Sequence, residues 1–441
     1  MPHSTPLAEQ ALKIAAVLHH NGYQAWLVGG CVRDLVLGRE PKDYDIATDA
    51  VPAKVIELFP GAQFVGAQFG VVLVDGVEVA TFRSDHAYVD GRHPESVVFE
   101  KDARQDVLRR DFTINGLLLR PGGDVREVID HVGGLEDLRN GMIRAIGVAE
   151  RRFDEDHLRM LRAVRFAARF GFDIEPATRA AIEKLRAKIR RVSGERVRDE
   201  VVRILTEGHP RQGFELLDQT GLLEEILPEV AAMKGVEQPP EYHPEGDVWV
   251  HTMLMLENLP ADPPATLALG VLLHDVGKPP TFRVAERIRF DGHVEVGMEI
   301  GQRILNRLHF SNEQTDQIIA LIANHMRFSA VGRMRESTVK RLLRMPKFDE
   351  HLELHRLDCV SSHGGLDNYE FMRRKRNEVP PEQLRPPRIL TGRDLIAAGY
   401  RPGPEFSKML DAAEDAQLEG RVHTREEALA LIQSSWPPPE S

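Results

Sequence analysis

The chain changes texture once, near Gly141, and that change limits what it can fold into. Before it, apolar runs are short and bounded by glycine or charge: AWLVGG (25–30), KDYDIAT (42–48), AQFVG (62–66), GVVLVD (70–75) and VEVATFR (77–83). Runs of this length between turn residues read as strands. Helical patterns at 6–21, after the glycine turn GGCVRDLVLG and at VPAKVIELF separate them. After Gly141 the strand signal stops. Helical periodicity recurs at 154–170, 176–190, 195–207, 210–219 and 222–234. The expected class is α+β: a small mixed sheet with helices, then all-α segments. Two Pro/Gly-rich stretches, QPPEYHPEGD (238–247) and EVPPEQLRPP (378–387), mark breaks. The expected domains are 1–143, 144–240, 241–378 and a small helical tail, 379–441.

Composition narrows the setting. Two cysteines, Cys31 and Cys359, exclude a disulfide framework and a cysteine-based zinc site, and they fit a reducing cytoplasm. There is no apolar run of about 18 residues and no basic, then apolar, leader pattern, so neither a membrane partner nor secretion is expected. The formal charge of −11, from 57 basic and 68 acidic residues, argues against non-specific coating of nucleic acid. Basic residues nevertheless concentrate between 151 and 203, which leaves room for a local groove.

Gly29-Gly30-Cys31-Val32-Arg33-Asp34 joins a strand to a helix, and Asp43-Tyr44-Asp45 follows nine residues later. Glycines let backbone approach a triphosphate, and a helix start favours anions. Strand periodicity would put Asp43 and Asp45 on one face, where two carboxylates repel unless a cation such as Mg²⁺ lies between them. A two-metal site asks for a third acid, for which Glu78 is the first candidate and Asp85 the second. Singly, a glycine pair or two alternate acids marks only a turn or a surface.

Together and in this order, these residues resemble the catalytic core of class II polymerase β-type nucleotidyltransferases, the branch of bacterial tRNA CCA-adding enzymes and poly(A) polymerases. Arg109-Arg110-Asp111-Phe112-Thr113-Ile114-Asn115 looks like that family's RRDFTIN motif, which implies contacts from Arg109, Arg110, Asp111 and Asn115 to nucleotide phosphates and ribose. Glu155-Asp156-His157-Leu158-Arg159 resembles its EDxxR element. On a helix, Asp156 and Arg159 would share a face. A coplanar carboxylate and guanidinium match the Watson–Crick edges of cytosine and adenine and leave uracil and guanine unpaired. Arg162 is expected to join the nucleotide contacts. Glu195-Arg196 through Glu200 resembles a bracing ERxxxE element, and Lys184, Arg186, Lys188, Arg190 and Arg191 form a basic face for acceptor-stem phosphates. In this family a loop between the third-acid strand and RRDFTIN accompanies addition of A, and here 84–104 fills that place.

A second ordered set follows: His251, His274-Asp275, His293, His325 and Asp358. Imidazoles mixed with carboxylates suit Mn²⁺, Ni²⁺, Co²⁺ or Fe²⁺ better than Mg²⁺ alone. The set resembles the HD phosphohydrolase superfamily, with HDVGK its most specific piece, and Lys278 is placed to meet a substrate phosphate. The combined expectation is a tRNA nucleotidyltransferase that builds or repairs 3′-CCA from CTP and ATP, with phosphatase, 2′-nucleotidase or 2′,3′-cyclic phosphodiesterase activity at the HD set. The alternatives are an A-only adding enzyme, a poly(A) polymerase of the same fold, or a metal phosphohydrolase with an inactive head. The sequence does not specify an oligomeric state.

Overall fold

The computed structural model describes residues 5–66, 70–88 and 94–437. The chain divides into two compact units, 1–231 and 232–441.

The first unit carries a seven-stranded sheet. In spatial order its strands are Gln63–Gly66, Val71–Val74, Val77–Thr81, Asp45–Thr48, Ala25–Val28, Leu117–Leu119 and Ile129–Asp130. Only Asp45–Thr48 and Val77–Thr81 pair in parallel; the other neighbours are antiparallel. One face packs Val28, Ala47, Phe82, Val107 and Leu118 into a buried cluster. The strand Asp45–Thr48 is central in this sheet and buried from Ile46 to Thr48, which anchors the half-buried Asp45 at its start. The strand begins at Asp45, and Asp43 lies just ahead of it rather than within it.

The stretch 84–104 is not a plain loop. Arg83–Tyr88 and Pro94–Phe99 pair antiparallel as a separate two-stranded ribbon. Residues 89–93 lie outside the described residues. Asp85 falls on this ribbon, and its side chain also lies outside them.

The helical part begins at Ala149–Glu155 and Arg159–Phe170. The single helix expected over 154–170 is broken. Asp156 is extended (φ −146°, ψ 106°), and its side chain accepts the Leu158 backbone N–H at 3.1 Å. Aspartate competes for helix hydrogen bonds in this way and so favours helix ends. Asp156 and Arg159 therefore do not share one helix face. Arg159–Phe170 buries Met160, Leu161, Val164 and Phe166, and it packs against Gly194–Thr206 and Pro210–Gln219.

The second unit is helical apart from a two-stranded hairpin, Arg283–Val284 with Ile288–Arg289. Its centre is Ala265–Leu273, buried from Thr266 to Leu273. Val248–Glu257, Asn312–Asn324 and Phe348–Val360 surround this helix. The tail helices Gly392–Ala397, Glu405–Leu418 and Arg425–Ser435 build their own core from Leu390, Leu395, Tyr400, Met409 and Ile432. They attach to Glu336–Leu343 and the residue after it. Lys340 donates to the Leu418 carbonyl at 2.7 Å, and Arg344 donates to Glu414 at 2.7 Å.

Candidate active sites

The first unit holds a cavity of about 350 Å³ lined by Gly29, Gly30, Arg33, Asp43, Asp45, Arg110, Asp111, Asn115 and Arg162, among others. The turn at its floor needs glycine. Gly29 has φ 69° and ψ −132°, and a Cβ there would come within 3.1 Å of Arg110 Nη1. Asp45 stands in register with Glu78 on the parallel neighbour strand. Burial, with Glu78 and Asp43 nearby, pushes Asp45 up to about 6 against the counteracting Arg110. A carboxylate held this way gains from a cation, so the acids present fit a divalent ion.

The arginines are held by carboxylates, some near in sequence and some distant. Arg109 and Arg110 both grip the buried Asp106, at 2.6 and 2.9 Å. Asp111 accepts from Arg162 at 2.6 Å and from Asn115 at 3.0 Å, and Asn115 in turn accepts from Arg33 at 2.7 Å. Arg162 and Asn115 hold the buried Asp111 carboxyl well below the usual carboxylate range, against the opposing effect of burial. Arg33 is 3% exposed, bonded to Asp34 at 2.8 Å, and lies over the rings of Phe166 and Phe170. Asp111, Asn115 and Arg33 thus form a hydrogen-bonded chain tied to Arg162 at one end and to Asp34 at the other.

A smaller cavity beside this one is lined by Arg109, Arg110, Asp111, Asp156, Arg159, Arg162 and Arg196. Asp156 and Arg159 both face it but are not paired. Arg159 bonds Glu155 at 2.7 Å, and Asp156 accepts from Arg196 at 2.8 Å. Glu200 of the same ERxxxE element holds the buried Arg165 at 2.6 Å. The basic run at 184–191 is surface-exposed, and much of it is already paired: Lys188 with Asp154 at 2.5 Å, and Arg190 with Glu225 at 2.5 Å.

In the second unit, the metal-sized ligand groups found among the described residues are His251/His274/Asp358, Asp275/His293/His325 and His243/Glu245/His251. All six expected ligands come together. Asp275 stands 3.1 Å from His274 Nε2, 3.7 Å from His325 Nε2 and 3.9 Å from His293 Nε2, and His251 Nε2 is 3.3 Å from Asp358. The inward atoms His251 Nε2, His274 Nε2 and Asp275 Oδ1 are buried and make no hydrogen bond. Such atoms are costly unless something binds them, so this donor set fits divalent metal. Gly277 of HDVGK has a packing reason. A Cβ there would lie 2.0 Å from the His293 carbonyl oxygen, so only glycine lets the two ligand-bearing segments meet.

Lys278 is buried and bonds Asp275 and Gln238, both at 2.6 Å, so two of its three donors are taken. It lines a cavity of about 760 Å³ with Tyr242, Arg287, Arg289, Phe290 and His293. Both cysteines are buried, and burial pushes their thiols up, Cys31 to about 11 and Cys359 to about 12.

Sequence patterns missed several residues. Asp106, Lys42, Arg165, Arg169 and Arg203 join the first site, and Gln238 and Glu245 join the second. Asp106 sits three and four residues before the paired arginines, a helical spacing that was available as a signal. Arg165 and Arg169 follow Arg162 at successive helical steps of three and four, and Lys42, Arg203, Gln238 and Glu245 have no such spacing.

The comparisons with known proteins agree with this anatomy. Residues 25–144 match the poly A polymerase head domain model, 171–234 the probable RNA and SrmB-binding site of polymerase A, and 241–361 the HD domain. A CCA-adding enzyme of Lactobacillus delbrueckii subsp. bulgaricus is 32% identical over 433 residues, 97% of each chain. That of Lactiplantibacillus plantarum is 44% identical over 223 residues, 49% of this chain, and there the match spans about half (53%) of the relative's length. The solved CCA-adding enzyme of Bacillus stearothermophilus in complex with CTP superposes with a TM-score of 0.72 at 28% identity, covering 98% of both chains. A Thermotoga maritima CCA-adding enzyme complexed with tRNA shares the fold, with a TM-score of 0.58 at 21% identity. The chain belongs to the family of CCA-adding enzymes.

Proposed function

We propose that the protein is a tRNA nucleotidyltransferase that adds or repairs 3′-CCA from CTP and ATP, working in the cytoplasm without a membrane. The observation that carries this reading is the cavity where the Gly29-Gly30 turn, Asp43, Asp45 and a set of arginines meet. The turn leaves backbone open to a triphosphate. Arg110 and Arg162, with Lys42 and Arg203, supply positive charge to it. Lys42 and Arg203 have no carboxylate partner among the described residues. Asp43 and Asp45, with Glu78 in register beside Asp45, are the residues that would hold Mg²⁺. Bound there, Mg²⁺ would lower the pKa of the attacking tRNA 3′-hydroxyl and neutralise pyrophosphate.

Asp156 and Arg159 face the adjoining cavity and can present a carboxylate and a guanidinium to a base edge. That needs Arg159 to leave Glu155, while Arg196 keeps Asp156 oriented. The segments 1–143, 144–240, 241–378 and 379–441 then act as catalytic head, templating and RNA-binding neck, HD module and tail. The HD module is proposed to be a metal-dependent phosphohydrolase. His251, His274, Asp275, His293, His325 and Asp358 would hold Mn²⁺, Ni²⁺, Co²⁺, Fe²⁺ or Mg²⁺, which would supply an activated water. The remaining donor of Lys278, with Arg287 and Arg289, would face the phosphate.

The test uses tRNA transcripts ending before CCA, after C and after CC, each incubated with labelled CTP or ATP. Ordered C, C, A incorporation supports the proposal. Incorporation of A alone onto the CC end would make it an A-adding enzyme, and untemplated A-tailing a poly(A) polymerase. No incorporation, with phosphate release retained, would favour the phosphohydrolase alternative.

A further inference from the structure

The histidines of the HD cluster are anchored through Nδ1 in two different ways. His274, His293 and His325 point Nδ1 at backbone carbonyls three residues earlier: Val271 at 2.8 Å, Phe290 at 2.9 Å and Ile322 at 2.7 Å. His274 and His325 follow the last turn of a helix, where such carbonyls are open, and His293 opens a helix and reaches a carbonyl of the turn before it. His251 lies inside the first turn of Val248–Glu257, and the Val248 carbonyl three residues earlier is taken by Thr252 Oγ1 at 2.8 Å. A side chain fills the gap. Glu245 Oε1 stands 2.6 Å from His251 Nδ1 and 2.9 Å from His243 Nδ1.

We infer that Glu245 is a positioning residue that fixes the ring and tautomer of His251, so that its Nε2 lone pair faces the metal. A neutral imidazole has one ring proton; a carboxylate accepting it at Nδ1 leaves Nε2 free to ligate and makes it a better donor. The competing assignment is a separate ion bound by His243, Glu245 and His251. Distances decide against it. Ligands about 2.1 Å from one tetrahedral ion stand about 3.4 Å apart, whereas 2.6 Å is a charge-assisted hydrogen bond. His251 cannot lend Nδ1 to one ion while its Nε2 serves the main cluster without losing the proton that Glu245 accepts. Burial keeps this arrangement dry: the His251 side chain is 0% exposed and that of Glu245 7%.

The inference rests on the HD set being a metal site, and its test separates the two. Co²⁺ affinity of the full chain is measured by chelator competition and by the visible spectrum of bound Co²⁺. The HD site is the binding that His274→Ala removes. Glu245→Ala is expected to weaken this binding 10–100-fold with the number of ions at saturation unchanged. Glu245→Gln, whose amide oxygen still accepts from Nδ1–H, should recover much of the loss and covers the case in which the alanine variant misfolds. Affinity and spectrum unchanged in both variants would overturn the inference alone. Loss of one bound equivalent would make Glu245 a ligand and overturn it too. If His274→Ala removes no Co²⁺ from the chain, the metal reading fails and takes this inference with it.

Discussion

In the head cavity, most of the cations that line the wall are already bound to carboxylates, some local and some distant in sequence: Arg33 to Asp34, Arg110 to Asp106, Arg162 to Asp111, Arg165 to Glu200. In the HD cluster His251 Nε2, His274 Nε2 and Asp275 Oδ1 are buried with no hydrogen bond. Among the described residues, the HD ligands form two metal-sized groups of three, and Asp43 and Asp45 belong to no such group. A site of the first kind is finished by its substrate, since Mg²⁺ usually arrives through phosphate oxygens and keeps water. A site of the second kind is built for the ion itself.

The variant with the largest expected effect probes one side alone. Asp43→Ala should lower nucleotide incorporation by about three orders of magnitude, the several kcal/mol of charge stabilisation a metal supplies, while Co²⁺ binding at the HD set is unchanged. Simultaneous loss of both would break the contrast. Next, His274→Ala should abolish HD metal binding and phosphate release while leaving CCA addition within about twofold of wild type, measured on the same preparation. A fall of incorporation to zero would show that the HD module supports the head.

The third prediction concerns the head's pairing network. Asp111→Asn removes the buried carboxylate that binds the partly exposed Arg162 and should cost about 2–3 kcal/mol, read as a lowered unfolding midpoint at pH 7. The Asp111 carboxyl is depressed below its unfolded value, so its contribution is present above about pH 4 and is lost as pH falls through the folded value. The variant should therefore show a flatter loss of stability in acid, and an unchanged acid profile would remove Asp111 from the network. A smaller effect is expected for Asp156→Ala, which should relax selection of C and A over U and G by about 10–100-fold, read by competing nucleotides on one transcript. Smallest is Lys188→Ala with Arg190→Ala. Both cations already have acidic partners, so the apparent tRNA KM should rise only a few-fold, with a shallower salt dependence.

Much of this anatomy was legible in the sequence because motifs with fixed spacing report local geometry. Gly29-Gly30, Arg109 to Asn115 and His274-Asp275 are short, and their neighbours in sequence are their neighbours in space. The switch from glycine-bounded strands to helices also marked the α+β order. Two things escaped. Asp156 sits in a continuous helical pattern, yet its side chain caps the next backbone segment and divides the helix, an outcome that periodicity does not register. Partner exchange escaped as well. Spacing set Asp156 beside Arg159, whereas the fold brings Arg196 forty residues on to Asp156. Glu245 shows the same limit. Its value to His251 depends on which carbonyls a helix has left open.

The two buried thiols carry a practical consequence. Their raised pKa values and burial make Cys31 and Cys359 poor targets for maleimides and iodoacetamides, which react with exposed thiolate. No cysteine need be deleted before labelling, and the Cys31 thiol in the wall of the head cavity can stay native. A single surface cysteine introduced in either unit would therefore take a dye with little competing reaction at the native thiols.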